Sequence, residues 1–475
     1  MGGLVLRAEE WTDAPPAVAF SLFGAGQGAG WVFDALCDHV AVGSAVTMRA
    51  PIAGSGGDGV DIIGRITTVR PDREIEIAHD QPWRGRITLR FTADRAGTRV
   101  RLFAELDESG LEWLLRRRGY PTARGRSPNP RLGLLTTKSG PGSLFAAAVD
   151  NLALLAIEEI NAEGGVRGRP VELLVGDDAT NPATGVAEAQ RLVDAGCKTI
   201  MVSTTSATFA AVARALASAD VLVVQTLMNE GGGRGRLCLQ LGERHEDQLA
   251  AGVKPLMRMA GGRRWFLAGN DYCWPRSTHA AARRFLPRAG ARVVGERLAE
   301  FGTRDYSPLI DEIRCSGADI ILSTFVGADS AAFERQCHAM GLRDQCLTLA
   351  PAMDESTLLR IGEAASRGLF GVSGYIEQLP TDGNAGLLAR YRAKFGRWAP
   401  PVSSLSVSVF EAIQLWWYAV RRVGAGDPKR ISEAMRPGVF ELPRGTVRLG
   451  DDGRVDQQIY LTAANGAALE LVSAP

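Results

Sequence analysis

The hydrophobic pattern of the 475-residue chain changes its period near residues 121–130. That stretch reads PTARGRSPNP and is rich in Pro, Ser, Arg and Gly, a composition typical of linkers. Before it, apolar and polar residues alternate one by one, whereas after it short apolar strands alternate with amphipathic helices. We therefore predict one domain over 1–120, a linker over 121–130 and a second domain over 131–475.

The part before the linker has the pattern of half-buried antiparallel strands. Ile75 and Ile77 alternate with glutamates, and a similar alternation runs over 86–91 and 99–102. Turns are predicted at 54–59, 70–73 and 93–98, and helices at 30–39 and 111–118. This arrangement predicts an α+β domain with a curved sheet.

The part after the linker alternates strands with helices, which predicts parallel sheets covered by helices. Strands are predicted at 131–135, 171–176, 199–203, 221–225, 264–269, 318–325 and 346–350. Helices are predicted at 145–160, 182–194, from about 206, and at 276–289, 305–316 and 329–340. A second round of the alternation, followed by helices at 384–396 and 403–423 and strands near 445–464, predicts two similar lobes.

The charge balance argues against a nucleic-acid partner. The chain has 54 Lys and Arg against 53 Asp and Glu, a formal charge of +1, so no basic excess draws it to a phosphate backbone. No run of apolar residues is long enough to predict a membrane span. Glu9 and Glu10 fall where a signal peptide keeps its apolar core, so we expect no export signal and a cytoplasmic location.

The seven cysteines are scattered and show no Cys-x-x-Cys spacing, so neither a disulfide framework nor a zinc site is expected. We expect buried free thiols, in a reducing compartment, at Cys37, Cys197, Cys238, Cys273, Cys315, Cys337 and Cys346.

Motifs of catalysis and cofactor binding are absent from the sequence. It contains no GxxxxGK[ST] phosphate-binding loop, no GxSxG nucleophile motif and no HxxxH pair. The glycine-rich segments 24–30 and 231–236 are interpreted as loops, and Asp177 and Asp178 as helix-capping, solvated groups. We therefore expect no enzyme activity, no catalytic residue, no cofactor and no metal.

The second part resembles a known family. IEEINAEGGVRGRPVE (157–172), followed by Asp177-Asp178 and NPATGVAEAQRLV, looks like the opening segment of leucine-binding-type (type I) periplasmic binding proteins. GNDYCWPRSTHAA (269–281) and STFVGADSAAFERQ (323–336) are similar to its amide- and urea-binding branch, which includes a cytoplasmic amide sensor.

This resemblance covers about 131–470 and implies a two-lobe α/β type I periplasmic-binding-protein fold. Three crossovers join the lobes, which close on a small ligand. Lobe 1 is expected at 131–243 and 378–438, and lobe 2 at 244–377 and 439–475.

Hydroxyl side chains cluster where the third strand of lobe 1 meets its helix. Ligands of open α/β sheets sit beyond the carboxyl ends of strands, where helix N-termini offer unpaired N–H groups. Thr204, Thr205 and Ser206 are therefore predicted to hold a ligand carboxylate or carbonyl, while one hydroxyl, most simply that of Ser206, caps the helix. Gln225 and Thr226 end the next strand, where the resemblance implies polar contacts.

Lobe 2 offers aromatic and acidic candidates at its own strand ends. Tyr272 and Trp274 follow the strand RWFLAG, where the resemblance implies aromatic rings that close over the ligand; packing in the core is the alternative. Phe325 and Asp329 flank the next strand-to-helix turn. Asp329 either caps its helix or binds a ligand cation.

The ligand stays open among amides, ureas and amino acids. The first-lobe tyrosines of the amide sensor are replaced here by Thr204 and Gln225. An ammonium in a closed cleft needs an acidic partner, so an amino acid fits if Asp329 faces the cleft. A neutral amide-like ligand fits if Asp329 only caps its helix, and we prefer this because of the resemblance.

Residues 1–118 resemble the helix-grip superfamily of START-related and polyketide-cyclase-like (SRPBCC) domains. The resemblance is carried by WVFDALCD (31–38), by G-x-I-T-x-V at 64–69 and by Gln81-Pro82-Trp83-x-Gly85. The closing helix LEWLLRRR is shorter than in that family, so a structural role and a second ligand pocket are both open.

The sequence leaves three alternative functions open. The first is a non-catalytic intracellular sensor of a small polar ligand that signals to a regulatory protein. The second is the substrate-binding component of an ABC transporter, partnered by a permease and located outside the cytoplasm. The third is an enzyme that uses the helix-grip cavity with Glu76, His79 and Arg86. A homodimer is an open alternative.

Overall fold

The computed structural model describes residues 4–24, 34–50, 60–95, 97–117, 127–146, 148–231, 235, 237–451 and 453–472. One compact unit consists of Met1–Arg124, Lys138–Gly140 and Phe395–Pro400, and the other of Gly125–Thr137, Pro141–Lys394 and Pro401–Pro475. Several predicted segments lie partly or wholly outside the described residues: 25–30 of the first glycine-rich loop, the turn at 54–59, 121–126 of the linker, and 232–234 and 236 of the second glycine-rich loop.

The N-terminal unit contains a seven-stranded antiparallel sheet and two described helices. The strand order is β1-β7-β6-β5-β4-β3-β2. The elements are β1 (Leu4–Thr12), α1 (Pro16–Ser21), β2 (Asp34–Leu36), β3 (Ala45–Ala50), β4 (Val60–Arg70), β5 (Glu74–Gln81), β6 (Gly85–Asp94), β7 (Gly97–Leu106) and α2 (Glu108–Arg117).

The two-residue period of this unit produces one buried sheet face. Ile75 and Ile77 of β5 lie in a core with Ala19 of α1 and Trp113 of α2, while the alternate positions of β5 are only half-buried. The helix predicted at 30–39 is wrong where it is described, because Asp34–Leu36 is a strand paired antiparallel with β3. Pairing with a neighbouring strand decides the conformation of so short a segment.

The first lobe of the second unit is built on a parallel sheet of order β12-β11-β10-β8-β9. Its elements are β8 (Arg131–Thr136), α3 (Val149–Ala162), β9 (Glu172–Asp177), α4 (Pro182–Asp194), β10 (Thr199–Ser203), α5 (Ser206–Ala215), β11 (Leu222–Gln225), β12 (Cys238–Gln240), α12 (Asp382–Phe395), α13 (Ser404–Val423) and α14 (Pro428–Ala434). All five residues of β10 are buried, as expected for a central strand covered by helices on both faces.

The second lobe has a sheet of order β14-β13-β15-β16-β17-β21-β22, in which β21 pairs antiparallel with both β17 and β22. Its elements are α6 (His245–Ala260), β13 (Arg264–Asn270), α7 (Cys273–Arg288), β14 (Arg292–Ala299), α8 (Ser307–Ser316), β15 (Ile320–Thr324), α9 (Gly327–Ala339), β16 (Leu347–Leu349), α10 (Glu355–Ile361), α11 (Glu363–Ser366), β17 (Leu369–Ser373), β21 (Tyr460–Asn465) and β22 (Ala468–Leu471). A separate antiparallel sheet contains β18 (Gly438–Leu442), β19 (Gly445–Leu449) and β20 (Val455–Asp456).

The chain passes between the lobes three times: from β12 to α6, from β17 to α12, and from α14 through the three-stranded sheet to β21. The two-lobe α/β architecture expected from the sequence is therefore confirmed. Among the described residues, no helix is both long and apolar enough to cross a membrane.

The seven cysteines are free thiols, but only three of them are buried, and Cys37 and Cys238 are half-buried. Cys273 and Cys315 are exposed, whereas Cys197, Cys337 and Cys346 are buried. Cys273 begins α7 and Cys315 lies near the end of α8, at helix ends where a small side chain is not covered by the core.

Candidate functional site

A cavity of about 40 Å³ lies between the two lobes. The first lobe contributes three hydroxyl residues and several apolar ones, and the second lobe contributes two aromatic rings. The lining residues are Thr204, Thr205, Ser206, Leu227, Met228, Tyr272, Trp274, Val326, Gly327, Ala352 and Leu405.

The parallel topology explains why these residues meet. All of them except Leu405, which lies in α13, follow the carboxyl ends of β10 and β11 in the first lobe and of β13, β15 and β16 in the second lobe. Carboxyl ends of parallel strands share one edge of a sheet, which is where ligands bind in open α/β folds. Two such edges therefore face each other across the cavity.

Four helices begin at this cavity. Ser206 and Gly327 are the first residues of α5 and α9, and Trp274 and Leu405 are the second residues of α7 and α13. First-turn N–H groups have no partner within their helix, and the helix dipole makes this end positive. None of the described lining residues has a side chain charged at neutral pH, so the field at the cavity favours an anionic or neutral group.

Thr205, rather than Ser206, caps α5. The Thr205 hydroxyl accepts a 3.4 Å hydrogen bond from the backbone N–H of Thr208, and Thr205 has extended dihedral angles. Ser206 already belongs to the helix, so the predicted cap was wrong by one residue. The Thr205 hydroxyl is therefore occupied by this capping hydrogen bond, while Thr204 and Ser206 line the cavity on either side of Thr205 in the sequence.

Asp178 lies buried beneath the start of α5, which corrects its interpretation as a solvated capping group. Its exposed fraction is 0%. The Thr208 hydroxyl donates a 2.8 Å hydrogen bond to one carboxylate oxygen, and the Thr180 N–H donates to the other. Burial raises the pKa of Asp178 to about 7. The cap of α4 is Asn181 instead.

The two aromatic rings form the second-lobe wall of the cavity. Tyr272 packs against Phe301 with ring centroids 5.2 Å apart. Burial raises the pKa of Tyr272 well above its usual range, so its phenol stays neutral and able to donate a hydrogen bond. Trp274 is 2% exposed, and its indole nitrogen has no hydrogen-bond partner among the described residues.

Four predicted residues lie outside this cavity, namely Gln225, Thr226, Phe325 and Asp329. The Gln225 side chain accepts a 2.7 Å hydrogen bond from Gln240. Thr226 donates to the Val202 carbonyl at 3.5 Å and lines a different cavity of about 20 Å³. Phe325 is buried in the core of the second lobe, with its ring centroid 4.6 Å from that of Phe333 and 5.1 Å from that of Tyr306.

Asp329 follows neither of the two alternatives considered for it. Its carboxylate accepts a 2.6 Å hydrogen bond from the Asn270 side chain and hydrogen bonds of 3.0 and 3.1 Å from the Gly302 N–H. The residue at the cap position of α9 is Val326. Burial raises the pKa of Asp329. It holds the loop after β14 against β13 and does not line the cavity.

Sequence reasoning missed six lining residues, which are Leu227, Met228, Val326, Gly327, Ala352 and Leu405. Most of them are apolar and carry no chemical signal of their own. The available signal is positional, because five of the six follow a predicted strand by one to three residues and Leu405 lies near the start of a predicted helix.

The acid–base cluster considered for the N-terminal unit does not form. Glu76 and Arg86 make a 3.6 Å ion pair. His79 is buried on the opposite face of β5, since odd-numbered positions of that strand face the core. Within the described ranges, no group of three or more His, Cys, Asp or Glu side chains is placed to hold a metal ion.

Comparison with curated proteins finds amino-acid-binding relatives. The chain is 22% identical over 335 residues to the Leu/Ile/Val-binding protein BraC3 of Rhizobium johnstonii, a match covering 69% of this chain and 89% of that protein. It is also 22% identical over 342 residues to a leucine-, isoleucine-, valine-, threonine- and alanine-binding protein of Pseudomonas aeruginosa, covering 68% and 86%.

Solved structures share the fold. A solute-binding protein of an R. palustris ABC transporter, in complex with benzoate, matches with a TM-score of 0.65 and 18% identity over 72% of this chain and 95% of that one. A leucine-binding protein of Thermotoga maritima matches with a TM-score of 0.65 and 18% identity, covering 72% and 98%. The pattern of the family described as "Periplasmic binding protein" matches residues 130–468. The chain belongs to the periplasmic binding protein family.

Proposed function

We propose that the chain is the solute-binding component of an ABC transporter and that it binds a small carboxylate between its two lobes. The observation that carries this proposal is the meeting of four helix N-termini at a cavity whose lining side chains are uncharged. Helix N-termini bind carboxylates through unpaired N–H groups and a favourable dipole.

The same field disfavours an ammonium group. A buried cation needs an acidic partner to offset its lost hydration, and Asp329 is engaged by Asn270 and Gly302. The acid Glu230 lines a neighbouring groove instead of the cavity. These contacts support a carboxylate without an amine over an amino acid. A neutral amide or urea is the second candidate, because the uncharged lining accepts it too.

The lining suggests a role for each side of the ligand. Thr204 and Ser206 are the proposed hydrogen-bond donors to the carboxylate, and the Tyr272 phenol is a further donor. Trp274 and Leu227 offer apolar surface for the body of the ligand. Benzoate has this division between a charged end and an apolar ring, and it is the ligand of one structure that shares the fold.

The cavity must enlarge for such a ligand to enter. Its volume of about 40 Å³ is room for only a few water molecules. We infer that the lobes or the lining side chains move apart on binding.

The relatives also bear on location and partner. Solute-binding proteins of ABC transporters support a permease partner, and membership of a periplasmic family supports a location outside the cytoplasm. Both replace the cytoplasmic sensor that the N-terminal residues suggested.

For the N-terminal unit we propose a helix-grip domain, supported by its strand order and by the helices after β1 and β7.

Titration calorimetry of the full chain with benzoate, leucine, acetamide and urea tests the ligand class. We expect benzoate to bind more tightly than the other three. Ser206→Ala is expected to weaken benzoate binding roughly tenfold or more, since a hydrogen bond to a charged group is worth about 1.5–3 kcal/mol. Ser307→Ala is the matched control, because Ser307 begins α8 without lining the cavity. Leucine binding more tightly than benzoate would contradict the proposal.

A further inference from the structure

A buried ion-pair network lies where the chain passes between the lobes. Glu243 belongs to the first crossover, Arg444 to the turn between β18 and β19, and Glu411 to α13. All three are more than nine-tenths buried, with exposed fractions of 6%, 7% and 4%. Charges so far from water are retained only when they are well paired.

Glu243 is fixed to the second lobe. One carboxylate oxygen accepts a 2.6 Å hydrogen bond from the Gly374 N–H, at the start of the second crossover. The other accepts from the side chain of Gln248 in α6 at 3.0 Å. Gln248 also donates to the carbonyl of Val372 in β17. A β-carbon added at Gly374 would lie 3.1 Å from the Glu243 carboxylate, so glycine permits this close approach.

Arg444 is held mainly by α13 of the first lobe. Its Nε donates to the Glu411 carboxylate at 2.5 Å, and its Nη2 donates to the Ser408 hydroxyl at 2.7 Å, both on α13. Its Nη1 donates to Gln457, on the way to β21, at 2.6 Å. The planar guanidinium thus serves three partners at once, a geometry that lysine does not reproduce.

The two halves of the network meet at one longer contact. The distance between Arg444 Nη1 and Glu243 Oε1 is 3.7 Å, which is an ion pair without a direct hydrogen bond. A carboxylate anchored in one lobe therefore faces a guanidinium anchored in the other. Burial raises the pKa of both Glu243 and Glu411 despite the nearby guanidinium, so their environment is poorly hydrated.

We propose that the Glu243–Arg444 ion pair is a joint between the lobes that stabilises the closed cleft, so that both residues tune ligand affinity without touching the ligand. A partner charge in a low-dielectric site is attractive over this distance. Separation of the lobes moves the two anchors apart and weakens that attraction. The role in affinity rests on the proposed function, whereas the role in closure does not.

A second contact between the lobes, at the start of α9, allows closure of the cleft to be measured. The N–H of Ala328, in the first turn of α9, donates to the carbonyl of Pro141 in the first lobe at 3.3 Å. First-turn amides have no partner within their helix. Hydrogen exchange of the Ala328 amide in the ligand-free protein therefore reports how often the lobes separate.

The test compares Glu243→Gln, which keeps the side-chain shape and an acceptor for Gly374, with the wild type. We expect roughly tenfold faster exchange at Ala328 and a similar loss of benzoate affinity, because both depend on how stable the closed cleft is. Arg444→Lys is the second variant if Glu243→Gln does not fold, and it should give a smaller change of the same sign. Asp247→Asn is the control, because Asp247 pairs with Arg454 at 3.2 Å on the surface near the same crossovers.

A folded Glu243→Gln protein with wild-type exchange at Ala328 overturns the proposal, as does an equal effect in Asp247→Asn. If the wild type binds no benzoate while Glu243→Gln still speeds exchange at Ala328, that result supports the joint between the lobes and counts only against the proposed ligand.

Discussion

A single buried acid, Asp178, makes the stability of the folded protein depend on pH. Burial raises its pKa to about 7, whereas an unfolded aspartate titrates near pH 4. Between these pH values the folded protein holds a proton that the unfolded chain has lost. The free energy of unfolding therefore falls as pH rises from about 4 to about 7, by up to about 4 kcal/mol.

Asp178→Asn removes this titration, so we expect a flatter profile of stability against pH. Denaturant unfolding at several pH values between about 4 and about 8 measures the slope. Asp311, an exposed acid on α8 of the second lobe, provides the control, since Asp311→Asn leaves the buried carboxylate of Asp178 and its hydrogen bonds unchanged. An unchanged slope in Asp178→Asn would show that another group titrates.

Single residues also mark the limit of sequence reasoning. Thr204, Thr205, Ser206, Tyr272 and Trp274 were located because each carries polar or aromatic chemistry just after a predicted strand. Asp329 was misplaced, since its true partners, Asn270 and Gly302, come from elsewhere in the second lobe. The hydrogen-bond partners of a buried side chain depend on which loop packs against it, and the neighbouring residues in the sequence do not identify that loop.

Among the helices and strands, α9 makes a close contact across the cleft, where its first turn meets the carbonyl of Pro141 in the first lobe. Gly327 has φ +58°, and a β-carbon there would lie 2.4 Å from the Pro141 carbonyl oxygen. We expect Gly327→Ala to hold the lobes apart and to weaken ligand binding roughly tenfold or more, in addition to a backbone cost of about 1 kcal/mol.

Gly341→Ala separates these two effects. Gly341 has φ +69° and open space around its α-carbon, so its substitution carries the backbone cost alone. Calorimetry should show weakened binding only in Gly327→Ala, and thermal unfolding should show a loss of stability in both. Equal affinities in the two variants would mean that the Pro141 contact does not matter for closure.

Elements with a clear period were the predictable ones. The sequence limits of α4 and β10 agree with the structure, because Pro182 starts one and the other is a fully buried strand between turns. The strand β14 was not predicted. It lies at the edge of its sheet, and its mixture of exposed and half-buried residues shows no two-residue alternation.

At the scale of the whole molecule, the order of elements gave the architecture and the contacts between distant segments did not follow from it. Alternating strands and helices predicted two parallel-sheet lobes, since that alternation has few other solutions. The Glu243–Arg444 pair joins segments far apart in sequence. No local pattern indicates such a pair, because it depends on how three crossovers pack together.

The most direct test of the account is a hydrogen-exchange footprint of saturating benzoate on the full chain. We predict slower exchange in three segments that meet at the cavity, 204–208, 272–276 and 326–330, and no change in the N-terminal unit over β1 to β7. Protection confined to the N-terminal unit, or an unchanged footprint at benzoate concentrations that calorimetry shows to be saturating, would contradict a ligand site between the two lobes.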